Sequence, residues 1–406
     1  MKRIVALVVL VLIATLGVMF WREPLFWKRY LLAAIHSTTH LPRSFYEPTE
    51  LIEGGEGPEP PRVDPQLEHL EPAALQAAAE YAGAHKSTAL IVARHGHIVF
   101  EQFWDDDRFD AVADLGGLSS TIAALTVGIA LGDRKIALAT EPIGHYIEEL
   151  RDDERGTITV ADLLHSSSGL APASGGVGPW SQAARERFGT DTTTQCLGRK
   201  VAARPGKQWV PQGCDVQLLA LIVERATHER YARYISEHLW KPIGAADAQL
   251  AREDEGGPPR AACCLRARRG DWIRIAELLV SDGRFEGEQV IPPGWVREML
   301  APSKANANFG YQVWIGQPFS AELSVAEATE PYAVDDLYLL KGAGKTRLWF
   351  VPSLALSILR TGTNSESDRN WDDARIPNLI IRGTRDFLPK AAIPGSKDIR
   401  SLVPNH

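Results

Sequence analysis

The sequence predicts an α/β (α+β) architecture: a mixed antiparallel sheet flanked by helices, with a helical subdomain inserted between its strands. Strand patterns gather at two separated places, near residues 88–103 and 309–361. Helical periodicity and glycine turns fill the interval between them. A chain of 406 residues, 45% hydrophobic and 23% charged, is long enough to bury a large core around such a sheet. An apolar stretch at the start predicts one further element, an N-terminal transmembrane helix.

That stretch is residues 4–21, an unbroken apolar run behind Met1-Lys2-Arg3. Its 18 residues, rising 1.5 Å each, nearly match a hydrocarbon core of about 30 Å. The bulky Val18-Met19-Phe20-Trp21 lacks the small residues of a signal-peptide cleavage site, and Trp21 and Trp27 suit an interfacial belt. Residues 1–22 are therefore expected to be an uncleaved, single-pass anchor in a bacterial-type inner membrane. Lys2 and Arg3 point the N-terminus to the cytoplasm and the domain to the periplasmic side, although Arg22, Lys28 and Arg29 reduce the asymmetry.

Residues 23–63 are expected to form a juxtamembrane tether. Glu53-Gly54-Gly55-Glu56-Gly57-Pro58-Glu59-Pro60-Pro61 offers too few apolar side chains to bury a core. Asp64-Pro65 is expected to open an amphipathic helix with Leu67, Leu70, Leu75, Ala78, Ala79 and Ala82 on one side. The folded domain then runs over residues 64–385, with 386–406 as a C-terminal tail. Residues 88–93 and Ile98-Val99-Phe100 predict a strand pair around the turn Arg94-His95-Gly96-His97. Two histidines flanking a turn glycine read as exposed side chains rather than metal ligands.

Residues 115–130 form a glycine-rich turn running into a buried helix. Gly116 and Gly117 permit a tight backbone, and Ser119 or Ser120 can cap the first turn. Ile122, Leu125, Ile129 and Leu131 supply the apolar face. A hydroxyl at a buried helix N-terminus also suits a nucleophile, since the helix dipole favours developing negative charge there. Residues 157–170 predict a helix ending at a glycine C-cap. His165 beside Ser166, Ser167 and Ser168 makes no triad by adjacency, because triad members converge through the fold. Residues 309–314, 348–352 and 356–362 read as closing antiparallel strands. Lys341-Gly342-Ala343-Gly344-Lys345-Thr346 ends like a phosphate loop, but Leu339 stands where that motif needs glycine and a strand follows it, which argues against nucleotide binding.

The 4 cysteines allow three pairings. Cys196 and Cys214 are candidates for one bridge, while vicinal Cys263 and Cys264 are not expected to bridge each other. No Cys-x-x-Cys is present, so neither zinc nor another cofactor is expected. The net charge of −7 argues against non-specific nucleic-acid binding, which needs a basic surface.

The 115–130 helix resembles the nucleophile helix of the β-lactamase-related serine hydrolases, a group spanning class C β-lactamases, DD-carboxypeptidases, some esterases and 6-aminohexanoate-dimer hydrolases. These carry Ser-x-x-Lys. Counting back from Val127-Gly128-Ile129-Ala130 puts the family's serine on Gly117 and its lysine on Ser120. Residues 157–170 are similar to the family's "ITIRHLLTHTSGL" segment. Residues 204–219 resemble its second catalytic element, with Pro211 at the tyrosine and Gly213 at the Asn/Ser position. Residues 342–345 are similar to its Gly-His-Gly-Gly element, with Ala343 at the histidine and Lys345 offering a positive charge beside it. Scaffold blocks at 262–279, 282–287 and 293–295 look closest to the 6-aminohexanoate-dimer hydrolase branch.

The resemblance implies a β-lactamase/transpeptidase-like fold, and a chemistry in which the serine attacks a carbonyl while lysine and tyrosine handle its proton. No Lys or Arg occurs over residues 109–133 and no Tyr over 147–230, so no shift of register refills those positions. A serine without a base is a poor nucleophile. The expectation is a catalytically silent, membrane-anchored pseudo-hydrolase whose cleft binds a small carboxylate, a peptide end or a protein partner. The rival expectation is a serine hydrolase using Ser119 or Ser120, with His165 brought in as base by the fold.

Overall fold

The computed structural model describes residues 17–36, 39, 41–55, 57–105, 107–176, 178–319, 327–365 and 368–385. Its strands, in chain order, are β1 (Thr49–Ile52), β2 (Ser87–Arg94), β3 (His97–Phe103), β4 (Val112–Asp114), β5 (Ala248–Ala251) and β6 (Leu265–Arg268). There follow β7 (Arg284–Phe285), β8 (Glu288–Gln289), β9 (Trp314–Ile315), β10 (Tyr338–Gly342), β11 (Thr346–Val351) and β12 (Leu356–Gly362). The helices that frame the site are α1 (Pro24–Ile35), α2 (Pro72–Ala84), α3 (Ser119–Gly132), α4 (Val160–Leu164), α5 (Gln182–Phe188), α6 (Thr192–Leu197), α7 (Gly213–Thr227), α8 (Arg269–Val280) and α9 (Arg375–Arg382).

The two expected strand groups join in one six-stranded antiparallel sheet of order β3-β2-β12-β11-β10-β9. β2 lies directly against β12, with Leu356 opposite Arg94 and Arg360 opposite Leu90. Side chains alternate between two faces, as a strand's period of two requires. Ile91, Ala93, Leu348, Phe350 and Leu359 turn to the core that contains α3. Leu90, Val92, Trp349, Val351, Leu356 and Ile358 turn to a second core under α2 and α9. α3 is buried on all sides from Thr121 to Ala130. Gly128 makes that possible where the Trp295 indole crosses the helix: a Cβ there would lie 2.1 Å from the ring, whose Nε1 donates to the Ala124 carbonyl at 3.0 Å. The helices α4 to α7 lie in the interval between β4 and β5, where the inserted subdomain was expected.

Several expectations are corrected. The helix expected from Asp64-Pro65 starts at Pro72; residues 65–69 form turns, and Leu67 is exposed. Residues 309–314 supply a strand only at Trp314, reached by an isolated bridge from Phe309. The helix expected across 157–170 spans only α4, begun by a capping box between Thr159 and Asp162 and ended at His165, well before Gly169.

The largest correction concerns residues 23–63: those described among them are docked rather than a tether. β1 pairs with β5 and joins a second antiparallel sheet of order β1-β5-β6-β4. The glycine-rich stretch after it is held through its main chain: Gly54 N donates to Asp247 Oδ1 at 2.8 Å, Gly55 N to Ala245 O at 2.8 Å and Gly57 N to Gly244 O at 3.1 Å. A composition argument counts side chains, and here the backbone does the docking. Upstream, Phe26 and Trp27 of α1 pack with Phe45, Tyr46, Ala184 and Phe188. Arg29 is wholly buried and donates to four main-chain carbonyls, those of Gly189 and Glu253 at 3.0 Å, Arg252 at 2.7 Å and Glu47 at 3.2 Å. Burial lowers its pKa to about 10, still charged at neutral pH.

Among the described residues no helix is long and apolar enough to cross a membrane. Residues 1–16 of the expected anchor and the expected tail 386–406 lie outside the described residues.

Cys196 bridges Cys214, joining α6 to the start of α7. Cys263 bridges Cys264, against expectation. Cys264 adopts a left-handed backbone, φ 72°.

Replacing Arg29 with methionine would keep the bulk and strand the carbonyls it serves. Arg29→Met is expected to cost about 3 kcal/mol, read as a lower urea midpoint of the full chain.

Candidate functional site

The site is set by the turn that precedes α3. Gly116 takes a left-handed backbone, φ 65°, and its N–H is fixed by Asp114 Oδ1 at 2.9 Å. Asp114 also lies beside the Tyr46 hydroxyl and the Cys264 N–H, and burial raises its pKa. The turn then interlocks with the end of β10. A Cβ on Gly117 would lie 2.6 Å from the Lys341 carbonyl oxygen, and one on Gly116 would lie 3.0 Å from Ala343 N and 3.5 Å from Ala343 Cβ. Two of the three sequence-aligned elements, at Gly117 and Ala343, therefore meet.

The serines do not cap. Ser119 is buried and donates its hydroxyl to the Gly116 carbonyl at 2.9 Å, and Ser120 donates to the Gly117 carbonyl at 2.7 Å. Both hydroxyls bond back to carbonyls three residues earlier, the local alternative open to a serine within a helical first turn.

The second element reaches the site through an intermediary that the sequence did not single out. Thr121 Oγ1 on α3 donates to the Gln312 carbonyl at 2.9 Å. The Gln312 side-chain amide donates to Leu164 O at 3.0 Å and Ser166 Oγ at 3.1 Å. Ser166 O accepts from Val210 N at 2.8 Å, one residue before the exposed Pro211. Gln212 Nε2 closes the set on Leu170 O at 3.2 Å and Ser168 Oγ at 3.3 Å. Gly213 begins α7. Pro211 is thus tied to α3 by a relay of hydrogen bonds, and among the described residues no hydrogen bond joins it directly to Gly117 or Ser120.

An aromatic cluster spans the second and third elements. Trp209 packs on Phe309 and Trp314, with ring centroids 5.5 and 5.3 Å away, and Phe309 and Trp314 are 5.1 Å apart. Lys341 Nζ stands 4.4 Å over the Trp314 ring and 3.6 Å from Asp373 Oδ2. Desolvation lowers its pKa to about 8, against the pull of Asp373. On β10 it alternates with Leu340, so it shares the face of Leu339 and Trp349, away from α3. Lys345 is buried, with Nζ on both Glu327 oxygens at 2.5 and 2.6 Å.

His165 supplies no base to a serine. Its ring packs on Tyr311 at 4.5 Å, its Nδ1 is buried without a partner, and burial lowers its pKa. His95 and His97 each place Nδ1 2.6 Å from one oxygen of Glu68. The grouping with metal-ligand spacing among the described residues is Glu186, Cys196 and Cys214, whose two sulfurs are bonded to one another and offer no thiolate. Cavities of about 360 and 640 Å³ open beside Lys86 and Asp368 and beside Trp180 and Arg185, and neither is walled by Gly117, Ser120 or Pro211.

The sequence pattern of the β-lactamase family matches residues 73–361. The chain belongs to the β-lactamase family. Among relatives, Protein Rv1367c of Mycobacterium tuberculosis is 27% identical over 283 residues, which is 56% of this chain and 70% of that one. The 6-aminohexanoate-dimer hydrolase of Paenarthrobacter ureafaciens is 32% identical over 95 residues, 23% of this chain and 24% of that one. Of solved structures, a candidate 6-aminohexanoate-dimer hydrolase from Bacillus anthracis superposes with a TM-score of 0.67 at 17% identity, covering 88% of this chain and 93% of that one. A candidate β-lactamase from Bacteroides dorei gives 0.62 at 16% identity, covering 77% and 98%. At these identities the structural likeness speaks for the fold alone.

Within this β-lactamase-family domain one buried acid stands out. Asp215, in the first turn of α7, accepts from Ser168 Oγ at 2.7 Å through Oδ1, while Oδ2 is buried without a partner. Burial raises its pKa to about 8; the Ser168 bonds pull the other way but are smaller. The folded domain keeps this proton up to about pH 8, whereas the unfolded chain releases it near the ordinary value of 3.8. Folding therefore takes up a proton between those values, and stability falls as pH rises across that window. Asp215→Asn is expected to flatten the fall, checked by comparing urea midpoints of both proteins at about pH 5 and about pH 8.

Proposed function

We propose that this chain is a membrane-anchored, catalytically silent β-lactamase-family domain that uses the family's cleft for binding rather than for acyl transfer. The observation that carries the reading is Gly117. At the position aligned with the nucleophile there is no side chain, and the close Lys341 carbonyl leaves no room for one without a shift. The neighbouring hydroxyls of Ser119 and Ser120 are committed to main-chain carbonyls, and no lysine or arginine occurs on α3 to act as their base. General-base assistance is worth roughly 10²–10⁴-fold, and its absence suits a silent site. The occupant we favour is a small carboxylate or a peptide end, met by main-chain N–H groups at the start of α3.

The tether to a membrane is supported by the apolar run of residues 4–21. An extracytoplasmic placing is supported by the cysteines: both pairs are bridged and none is free, as suits an oxidising compartment.

The purified full chain is expected to take no label from a serine-reactive fluorophosphonate and to turn over no ester, β-lactam or short amide. Labelling or turnover that disappears in Ser119→Ala or Ser120→Ala would overturn the silent reading and promote a serine hydrolase. Gly117→Ser is expected to lower stability, through the close carbonyl, without gaining label.

A further inference from the structure

An apolar stripe runs along the outer side of α1. Trp27, Leu31 and Ile35 follow one another at four-residue spacing, which aligns them on one side of the helix. The Phe20 ring stacks on Trp27 at 5.0 Å, and Trp180, from the loop before α5, meets Trp27 edge-on at 5.8 Å. Trp27 is buried beneath these neighbours, but Trp21 is 83% exposed, Ile35 72%, Trp180 64% and Leu31 44%. Two segments far apart in sequence thus present large apolar side chains together, a concentration that soluble surfaces rarely leave bare.

The chain itself indicates what covers this stripe. The described residues begin at Gly17, at the head of the stripe, and the sixteen residues before it include the apolar run from position 4 onward. Tryptophan is enriched where protein crosses from hydrocarbon to water, and exposed Arg22 follows Trp21 immediately, as an interfacial flank would. α1 is fastened to the domain from its other side by buried Arg29 and by Phe26 against Ala184 and Phe188. It therefore moves with the domain as one body.

We propose that Trp21, Leu31, Ile35 and Trp180 lie in the headgroup interface of a lipid bilayer, so that the helical subdomain is laid on the membrane in one orientation. The inference rests on the reading of residues 4–21 as an anchor. It goes beyond that reading because an anchor alone would leave Trp180 in water. An interfacial helix of this kind sits roughly 5–10 Å into the headgroup boundary.

The test uses the full chain reconstituted in phosphatidylethanolamine/phosphatidylglycerol vesicles. An environment-sensitive fluorophore is placed by Trp180→Cys or Ile35→Cys, with Leu67→Cys as a control on an exposed turn beside the opposite core. The expected result is that protein floats with the vesicles, and that the label at 180 and 35 shifts to the blue, is quenched by bromine-substituted acyl chains and escapes aqueous iodide. The label at 67 should be quenched by iodide alone. If the protein floats but the labels at 180 and 35 behave like that at 67, the interfacial placing is overturned and the anchor stands. If those labels are shielded from both quenchers, a protein surface covers the stripe and the proposal is likewise overturned. Protein that fails to float removes the anchor reading and this inference with it. Trp180 and Ile35 are exposed, so the substitutions spare the core, and unchanged urea midpoints verify that the labelled proteins are folded.

Discussion

The pairing of β2 with β12 is the contact on which the rest of the molecule depends. It sets residues near 90 against residues near 360, so everything between them is a closed loop of chain hung on one sheet. The entropy of closing a loop grows only slowly with its length. A whole helical subdomain can therefore be carried in the interval without undoing the closure. Once the two strands are joined, β11 and β10 follow by hairpin neighbours, and the end of β10 arrives where the turn before α3 can lock onto it. The inner face of the sheet receives α3 and the outer face receives α2 and α9.

The two faces differ in how they handle charge. On the outer face, Arg347 meets Asp373 Oδ1 at 2.8 Å, and Arg360, fully buried, donates to Ser87 Oγ, Gly344 O and Lys345 O at 2.7 to 2.9 Å. Removing one partner from such a set would strand the other, so the arrangement punishes change. On the inner face, the contacts that hold the site together are made by main-chain carbonyls, a glutamine amide and small-residue interlock. None of them needs a nucleophile, a lysine or a tyrosine. The scaffold around Gly117, Ser120 and Pro211 is therefore held together without any of those side chains.

Sequence made the sheet legible because β2, β11 and β12 are runs of apolar and β-branched residues whose period declares both faces. The turn before α3 was legible for the same kind of reason, since paired glycines ahead of an apolar helix announce close backbone approach. The second sheet was not, because β1, β4, β5 and β6 are three or four residues each and carry mixed side chains. Gln312 was invisible as the link between α3 and the second element, since a lone glutamine has no periodicity; its left-handed φ of 55° emerges only from the fold. Asp215 carries no local mark that separates it from any other acid in a helix's first turn, and only three-dimensional burial distinguishes it. The bridge between Cys263 and Cys264 likewise comes with a left-handed backbone at Cys264 that the sequence does not announce.

The docking of α1, β1 and the glycine-rich stretch after β1 has a mechanical consequence for the expected tether at 23–63. A free coil of that length would let the domain wander over a root-mean-square distance of roughly 35 Å from wherever residue 22 is held. With Arg29 locked onto four carbonyls and β1 zipped to β5, that leash is reeled in, and the domain keeps a fixed distance and a fixed compass bearing relative to the start of α1. If residue 22 is held at a membrane as proposed, reach rather than affinity alone would decide which molecules the domain can meet.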